Sequence, residues 1–402
     1  MNKKYFFFRI FYSSLIYSFI VSHKNKFLIC KIIICKNLYI FIRNTILLII
    51  RGRIILLKKL TLIFQIAAVF IGTIVGAGLA SGQEITQFFS TYGYKSFLGI
   101  VICGILYILT GYVIIHLSIK YKLNSYNELI SLVSPGFLGR VTDILTGMFL
   151  ISGAAIILAG SGALIHQYFK LNKWVGIILM SIMSIIVLLR DTKGLIEINS
   201  IIVPSLTIVI ITLFILYIFF YEGMSFTYVK TVPHYKNNWI FSSLLYCCFN
   251  LLSSTGVIVP LTKEIPKKRY IFSGLALGAI GLTILSLIIN LLLIVNIPYI
   301  FEYEVPLLYV ANRFGRIIQI MLLAIIWCEM FSTEVSDIYS VSKTIEQVFK
   351  ISYKKCCILI LCIAIPISQI GFVKLITFLY PAFGLISLIF IIQCFIFYLK
   401  DK

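Results

Sequence analysis

Acidic residues are scarce in this chain: 14 Asp and Glu stand against 35 Lys and Arg over 402 residues, and residues 1–59 contain no acid at all. Charged residues of both signs amount to only 12%, while 60% of the chain is hydrophobic. A soluble domain of this length cannot cover its surface with so little charge, so composition points to a polytopic membrane protein. The apolar runs are continuous and lack the in–out alternation of barrel strands, which excludes a transmembrane β-barrel. No C-x-x-C occurs among the ten cysteines, which sit in apolar segments as in Cys247-Cys248 and Cys356-Cys357. They read as small buried hydrophobes. The four histidines, His23, His116, His166 and His234, have no ligand spacing. There is no H-E-x-x-H, no paired-Asp motif and no Ser–His pair at helical spacing, so an enzyme is not expected. No repeated selectivity-filter sequence argues for a channel. The net charge of +21 has no basic, aromatic-bearing soluble surface to go with it. It fits loops facing a cytoplasmic leaflet and not a nucleic-acid partner.

Long apolar runs are what the chain does have. Residues 1–59 hold Lys or Arg at twelve positions and break every apolar run. Three readings stand side by side: a basic anchor on an anionic membrane surface, an extra weak span, or upstream sequence translated from a misassigned start. From residue 60 to 402 the pattern is regular. Ten spans of near-bilayer length are expected at about 61–89, 97–118, 137–168, 173–190, 194–221, 238–262, 270–296, 316–342, 355–373 and 375–399. The longer linkers, about 119–136 and 297–315, have room for short surface helices. Counting Lys and Arg in alternate linkers gives fifteen on the side of Lys58 and Lys59 and eight on the other. Both termini are therefore expected in the cytoplasm. The spans divide into two fives, 61–221 and 238–399, of similar length. An odd number of spans per set turns the second set upside down, the arrangement of an inverted repeat. The expected fold is an all-α integral membrane protein, ten transmembrane helices in a 5+5 inverted repeat with spans 1 and 6 broken.

The first break is read from residues 72–84, GTIVGAGLASGQE. Gly72, Gly76, Gly78 and Gly82 lie inside an apolar run beside Ser81, Gln83 and Glu84. Open backbone at membrane depth must face protein or a water-filled cavity, and broken helices form the sites of many secondary transporters. Freed carbonyls there suit a cation, and a half-helix start near Ser81 suits a substrate carboxylate. The bland alternative is close helix packing through small residues, since Gly72-x-x-x-Gly76 is also a packing motif. Glu84 is a proton carrier, a gate, or the interfacial end of the span. The second break is expected where Asn250, Ser253, Ser254, Thr255 and Gly256 interrupt span 6, although hydroxyls can also bond back to their own helix. In span 8, Glu329, Ser332, Thr333 and Ser336 share one face; a carboxylate and hydroxyls so placed suit sodium or a proton relay. Glu334 and Asp337 either join the polar chemistry of that span or simply approach the cytoplasmic surface. In span 5, Glu197, Asn199 and Ser200 either line an inner pathway or begin the helix at the interface. Asn290 in span 7 is a candidate helix–helix hydrogen bond.

Residues 72–89, GTIVGAGLASGQEITQFF, resemble the YkvI family of bacterial membrane proteins, and the layout agrees over about 60–400. That family is similar to the amino acid–polyamine–organocation transporter superfamily, so the resemblance implies the LeuT-like five-plus-five fold. It also implies solute at Gly76, Gly78, Ser81, Gly82 and at Asn250, Ser253, Ser254, Thr255, Gly256. Gln83, Glu84 and Glu329 would then couple or gate, and Ser332, Thr333 and Gly72 would form a sodium site. No Lys lies in the middle of span 5 to replace sodium by a proton-carrying amine. The expected function is cation-coupled transport of a small polar solute such as an amino acid across a bacterial cell membrane. No cofactor is expected beyond Na+ or H+ as coupling ion. The rival is a sensor or assembly factor that kept the fold without transporting.

Overall fold

The computed structural model describes residues 57–134, 136–190, 192–220, 226–265, 267–303 and 305–401. The expected extension over 1–59 lies, but for its last three residues, outside the described residues. Thr61–Lys402 forms one compact unit, and it contains every site considered below.

All regular structure among the described residues is helical, as a low-dielectric surround demands, because a helix satisfies its own backbone groups. In chain order the helices are α1 (Leu57–Ile74), α2 (Ala77–Ser81), α3 (Gln83–Phe88), α4 (Lys95–Lys120), α5 (Tyr126–Val133), α6 (Phe137–Phe169), α7 (Lys173–Leu188), α8 (Thr192–Phe220) and α9 (Phe226–Thr231). They continue with α10 (Trp239–Glu264), α11 (Lys268–Ile294), α12 (Pro306–Asn312), α13 (Arg316–Phe349), α14 (Tyr353–Ser368) and α15 (Phe372–Lys400). Eight of them carry stretches long and apolar enough to cross a membrane; α7 and α14, at 16 residues each, are shorter. The linkers expected to hold short helices do so, as α5 and α12. Ser125 caps α5 by accepting a hydrogen bond from the Glu128 N–H, and Pro306 opens α12 at its first turn. Both bury apolar residues, among them Leu129, Ile130, Leu307 and Val310, so they are part of the packed bundle.

The arrangement places α10 and α13 at the centre. In α10, 89% of the apolar window is buried, against 33% in α8. α10 packs against α4, α13 and α15, while α13 packs against α2, α6, α8 and α14. At the periphery, α8 exposes Ile201, Ile208 and Ile215, seven residues apart and therefore on one face. An exposed apolar stripe on a helix that is apolar all round suits lipid. Asn290 forms the interhelical contacts expected of it: it accepts from the Ser90 hydroxyl at 2.9 Å and donates to Ser96 at 2.8 Å. Glu197 pairs with Arg190 at 2.5 Å, with 58% of its side chain exposed, so it marks the edge of the bundle. At the C-terminus Asp401 binds Lys120 at 2.8 Å and Tyr121 at 2.7 Å. These bonds hold its carboxyl below the ordinary aspartate range and tie the tail to α4.

Candidate ion and solute site

The glycine-rich stretch does open. α1 ends at Ile74, Val75 and Gly76 are not helical, and α2 is a five-residue turn of helix ended by Gly82 in the left-handed region at φ 83°. That conformation favours glycine because any Cβ would crowd the backbone. α3 then resumes from Gln83. Ending α1 at this depth leaves its last carbonyls without helical N–H donors, and they carry the negative end of the helix dipole.

Side chains from two distant helices meet those carbonyls. The Ser332 hydroxyl of α13 lies 3.3 Å from the Gly72 carbonyl and 2.5 Å from Asn199 Oδ1 of α8. The Thr333 hydroxyl lies 2.9 Å from the Val75 carbonyl and 3.4 Å from that of Gly72. Five oxygens thus converge: two carbonyls, two hydroxyls and one amide. Only two hydroxyl protons serve these four contacts, so lone pairs are in excess. All-oxygen sets with surplus lone pairs suit a hard cation. Ser332 and Asn199 are completely buried. Gly72 is required by close approach, since a Cβ there would sit 1.6 Å from Asn199 Oδ1. Sequence reasoning singled out Gly72, Ser332 and Thr333 but not the role of Asn199; a buried amide in an apolar span was the available signal.

The other residues of the first break form a neighbouring cluster. Gly76 touches Thr333, with an added Cβ 3.4 Å from its Oγ1. Ser81 donates to the Gly78 carbonyl at 3.0 Å and accepts from the Gln83 N–H at 3.2 Å. Glu84 folds back over Gly78, its Oε1 2.1 Å from where a Cβ would stand, and lies beside Tyr246 of α10. At 5% exposure its carboxylate is enclosed by protein. Glu329, one turn before Ser332 and Thr333 on the same face of α13, is fully buried, and neither of its carboxylate oxygens has a hydrogen-bond partner.

The break expected in span 6 is absent. α10 runs without interruption from Trp239 to Glu264, through Asn250, Ser253, Ser254, Thr255 and Gly256, and even through Pro260. The hydroxyls explain why: Ser254 donates to Leu251, Thr255 to Leu252 and Thr262 to Val259, at 2.9, 2.6 and 2.7 Å. Polarity that looks like a break is spent on the helix's own carbonyls. Asn250 donates to the Tyr246 carbonyl at 3.0 Å and to the Tyr107 hydroxyl at 3.3 Å. Gly256 serves helix approach: a Cβ there would lie 2.4 Å from both Cβ and Oγ of Ser340. Gly256→Ala is therefore expected to destabilise the protein by about 1–3 kcal/mol through overpacking, and Ser340→Gly to restore most of the loss. Thermal unfolding of the two single variants and the double variant measures this coupling.

A cavity of about 310 Å³ opens between α3, the start of α10 and the stretch before it, lined by Gln87, Phe88, Tyr92, Asn238, Ser242 and Phe249 among others. The ring of Phe249 packs edge-on against Phe149 of α6 at 5.2 Å, and Phe149 contacts Phe383 of α15 at 4.7 Å. Among the described residues no group of three or more His, Cys, Asp or Glu gathers as a metal would require, so the oxygen cluster has no transition-metal counterpart of that size.

This geometry can be set beside known proteins. No family model matches the chain. It is 30% identical over 327 residues to the uncharacterized membrane protein YkvI of Bacillus subtilis (strain 168), covering 81% of this chain and 93% of that protein. The chain belongs to the YkvI family. It is also 28% identical over 333 residues to the uncharacterized protein YyaD of the same organism, covering 82% and 94%. Among solved structures it resembles a Na+-coupled sialic acid symporter, with a TM-score of 0.61 at 17% identity over 80% of this chain and 75% of that one. It resembles MhsT in complex with L-phenylalanine, with a TM-score of 0.60 at 15% identity over 81% and 87%. A manganese transporter of Eremococcus coleocola follows, at 0.53 and 16% over 82% and 76%. These neighbours are transporters, not enzymes, and the fold they share with this YkvI-family member is the LeuT-type helical membrane fold.

Proposed function

We propose that this YkvI-family protein is a cation-coupled secondary transporter of a small polar solute, such as an amino acid. The observation that carries the reading is the five-oxygen cluster where α1 ends: carbonyls of Gly72 and Val75, hydroxyls of Ser332 and Thr333, and the Asn199 amide. Its oxygen-only chemistry favours sodium over a proton as the coupling ion. The helices are read as ten spans, α7 and α14 included, in two inverted sets of five with only the first span broken. Both termini lie in the cytoplasm of a bacterial cell, as the Lys and Arg bias requires. The solute sits beside the ion, at the opened backbone of Gly76, Gly78, Ser81 and Gly82 and the facing side of α10 around Asn250. The 310 Å³ cavity is then an outer vestibule, closed below by Phe249, Phe149 and Phe383. Rocking of the broken helix and α10 against α13 opens the site alternately to each side. Because binding free energies are reciprocal, the ion must raise affinity for the solute as much as the solute raises affinity for the ion.

The test is uptake by the purified protein in proteoliposomes, with solutes chosen by a thermal-shift screen with and without sodium. A true solute at about 100 times its Kd should stabilise the protein by about 2.7 kcal/mol, and only when sodium is present. Uptake driven by a sodium gradient is the expected result. Uptake that follows a proton gradient alone would remove sodium from the reading. No flux with any stabilising solute would leave a sensor or assembly role.

A further inference from the structure

Beyond the oxygen cluster, α13 buries two more acids that the transport reading does not use. Glu334 and Asp337 are one turn apart and so share a face. At about 100° per residue, they point about 200° and 140° away from Ser332. Both are enclosed by protein: Glu334 is 0% exposed and Asp337 5%. Asp337 reaches into the notch left by Gly153 of α6, its Oδ2 2.5 Å from where a Cβ would be. The Ser253 hydroxyl of α10 neighbours its carboxylate. Glu334 is close enough for the two carboxylates to repel, and neither of its oxygens has a hydrogen-bond partner. The Lys and Arg ion pairs to Asp401, Glu197 and Glu346 involve neither acid.

Two buried carboxylates one turn apart, with no Lys or Arg ion pair to either among the described residues, are strongly disfavoured. A proton shared between the two carboxyls would remove one charge and leave the other buried. A metal ion answers this, since it supplies positive charge and coordinates the oxygens that lack partners. We propose that Asp337, Glu334 and Ser253 hold a hard metal cation between α6, α10 and α13, at a site separate from that of Gly72, Ser332 and Thr333. Carboxylate and hydroxyl oxygens are the ligands that alkali and alkaline-earth ions and manganese accept. The ion bridges the central helix α10 to α6 and α13, so its occupancy sets how firmly these helices hold together.

Equilibrium binding of radioactive sodium, calcium and manganese to the purified full chain in detergent tests this. For one of the three metals, Asp337→Asn and Glu334→Gln should each weaken binding on the order of 100-fold and lower saturation by about one ion per chain. Ser253→Ala, which keeps both acids, should weaken the same metal about tenfold; this variant decides the matter if the acid variants elute as aggregates. The sodium arm and the divalent arms identify the ion. If none of the three variants changes the binding of any metal, the site is overturned. It is equally overturned if they change only proton uptake in weakly buffered solution, because the carboxyls then hold protons. The combined Ser332→Ala and Thr333→Ala variant should keep this site and lose the other. If it loses nothing, the coupling-ion reading fails while this one stands.

Discussion

Gly72→Ala is expected to abolish solute uptake and to destabilise the protein by about 1–3 kcal/mol. The reason is distance. The new methyl would stand 1.6 Å from Asn199 Oδ1 and 2.8 Å from the Ser332 hydroxyl, so the amide must leave and Ser332 must turn. Both groups are fully buried in an interior packed too densely to yield freely. The backbone of Gly72 is also a candidate ligand through its carbonyl, so a shift of α1 would move that oxygen as well. A second substitution separates the two effects. Asn199→Ala in the Gly72→Ala background removes the closer clash, that with Asn199, and should recover most of the lost stability, measured by thermal unfolding in detergent. It should not recover sodium-driven uptake, because one oxygen of the cluster is then missing. Recovery of both together would mean that Asn199 only fills space.

Thr333→Val should weaken apparent sodium affinity at least tenfold, which is about 1.4 kcal/mol, with little change in the volume of the side chain. Valine keeps the shape but removes the hydroxyl that contacts the Val75 and Gly72 carbonyls. The Val75 carbonyl then loses a buried partner, a cost of about 1–3 kcal/mol. Thr333→Ser keeps the hydroxyl and should keep sodium dependence, so the pair isolates the oxygen from the methyl. The measurement is the sodium concentration giving half-maximal uptake, or half-maximal thermal stabilisation. Equal sodium dependence in both variants would remove Thr333 from the ion site.

The two breaks expected from the sequence fared differently, and the difference is physical. At 72–82, glycines stand where the chain leaves helical geometry, and Gly82 takes a left-handed conformation that other residues resist. A glycine-rich run beside a buried acid is a backbone signal, and backbone signals are local. At 250–256 the sequence shows polarity instead. Polarity does not say whether a hydroxyl faces a ligand or its own helix, and here Ser254 and Thr255 face their own helix. Glu84 is a similar case. Its place in the sequence fitted a proton carrier, a gate or an interfacial end alike, and only the turn at Gly82 showed the carboxylate folded over Gly78.

Composition and hydropathy determined the membrane class, because a bilayer solvates only apolar side chains and closed hydrogen-bond ladders. Local pattern determined the helices, the place where the first span opens, and the shared face of Glu329, Ser332 and Thr333. Tertiary structure alone decided which oxygens meet. Ser332 lies 260 residues from Gly72 and 133 from Asn199, and no local periodicity carries information over such a separation. It also decided that Asp337 faces Gly153 of α6 and that Glu334 is enclosed by protein. Burial of these acids depends on where α13 sits between its neighbours, and that follows from packing, from Gly153 and Gly256 admitting Asp337 and Ser340.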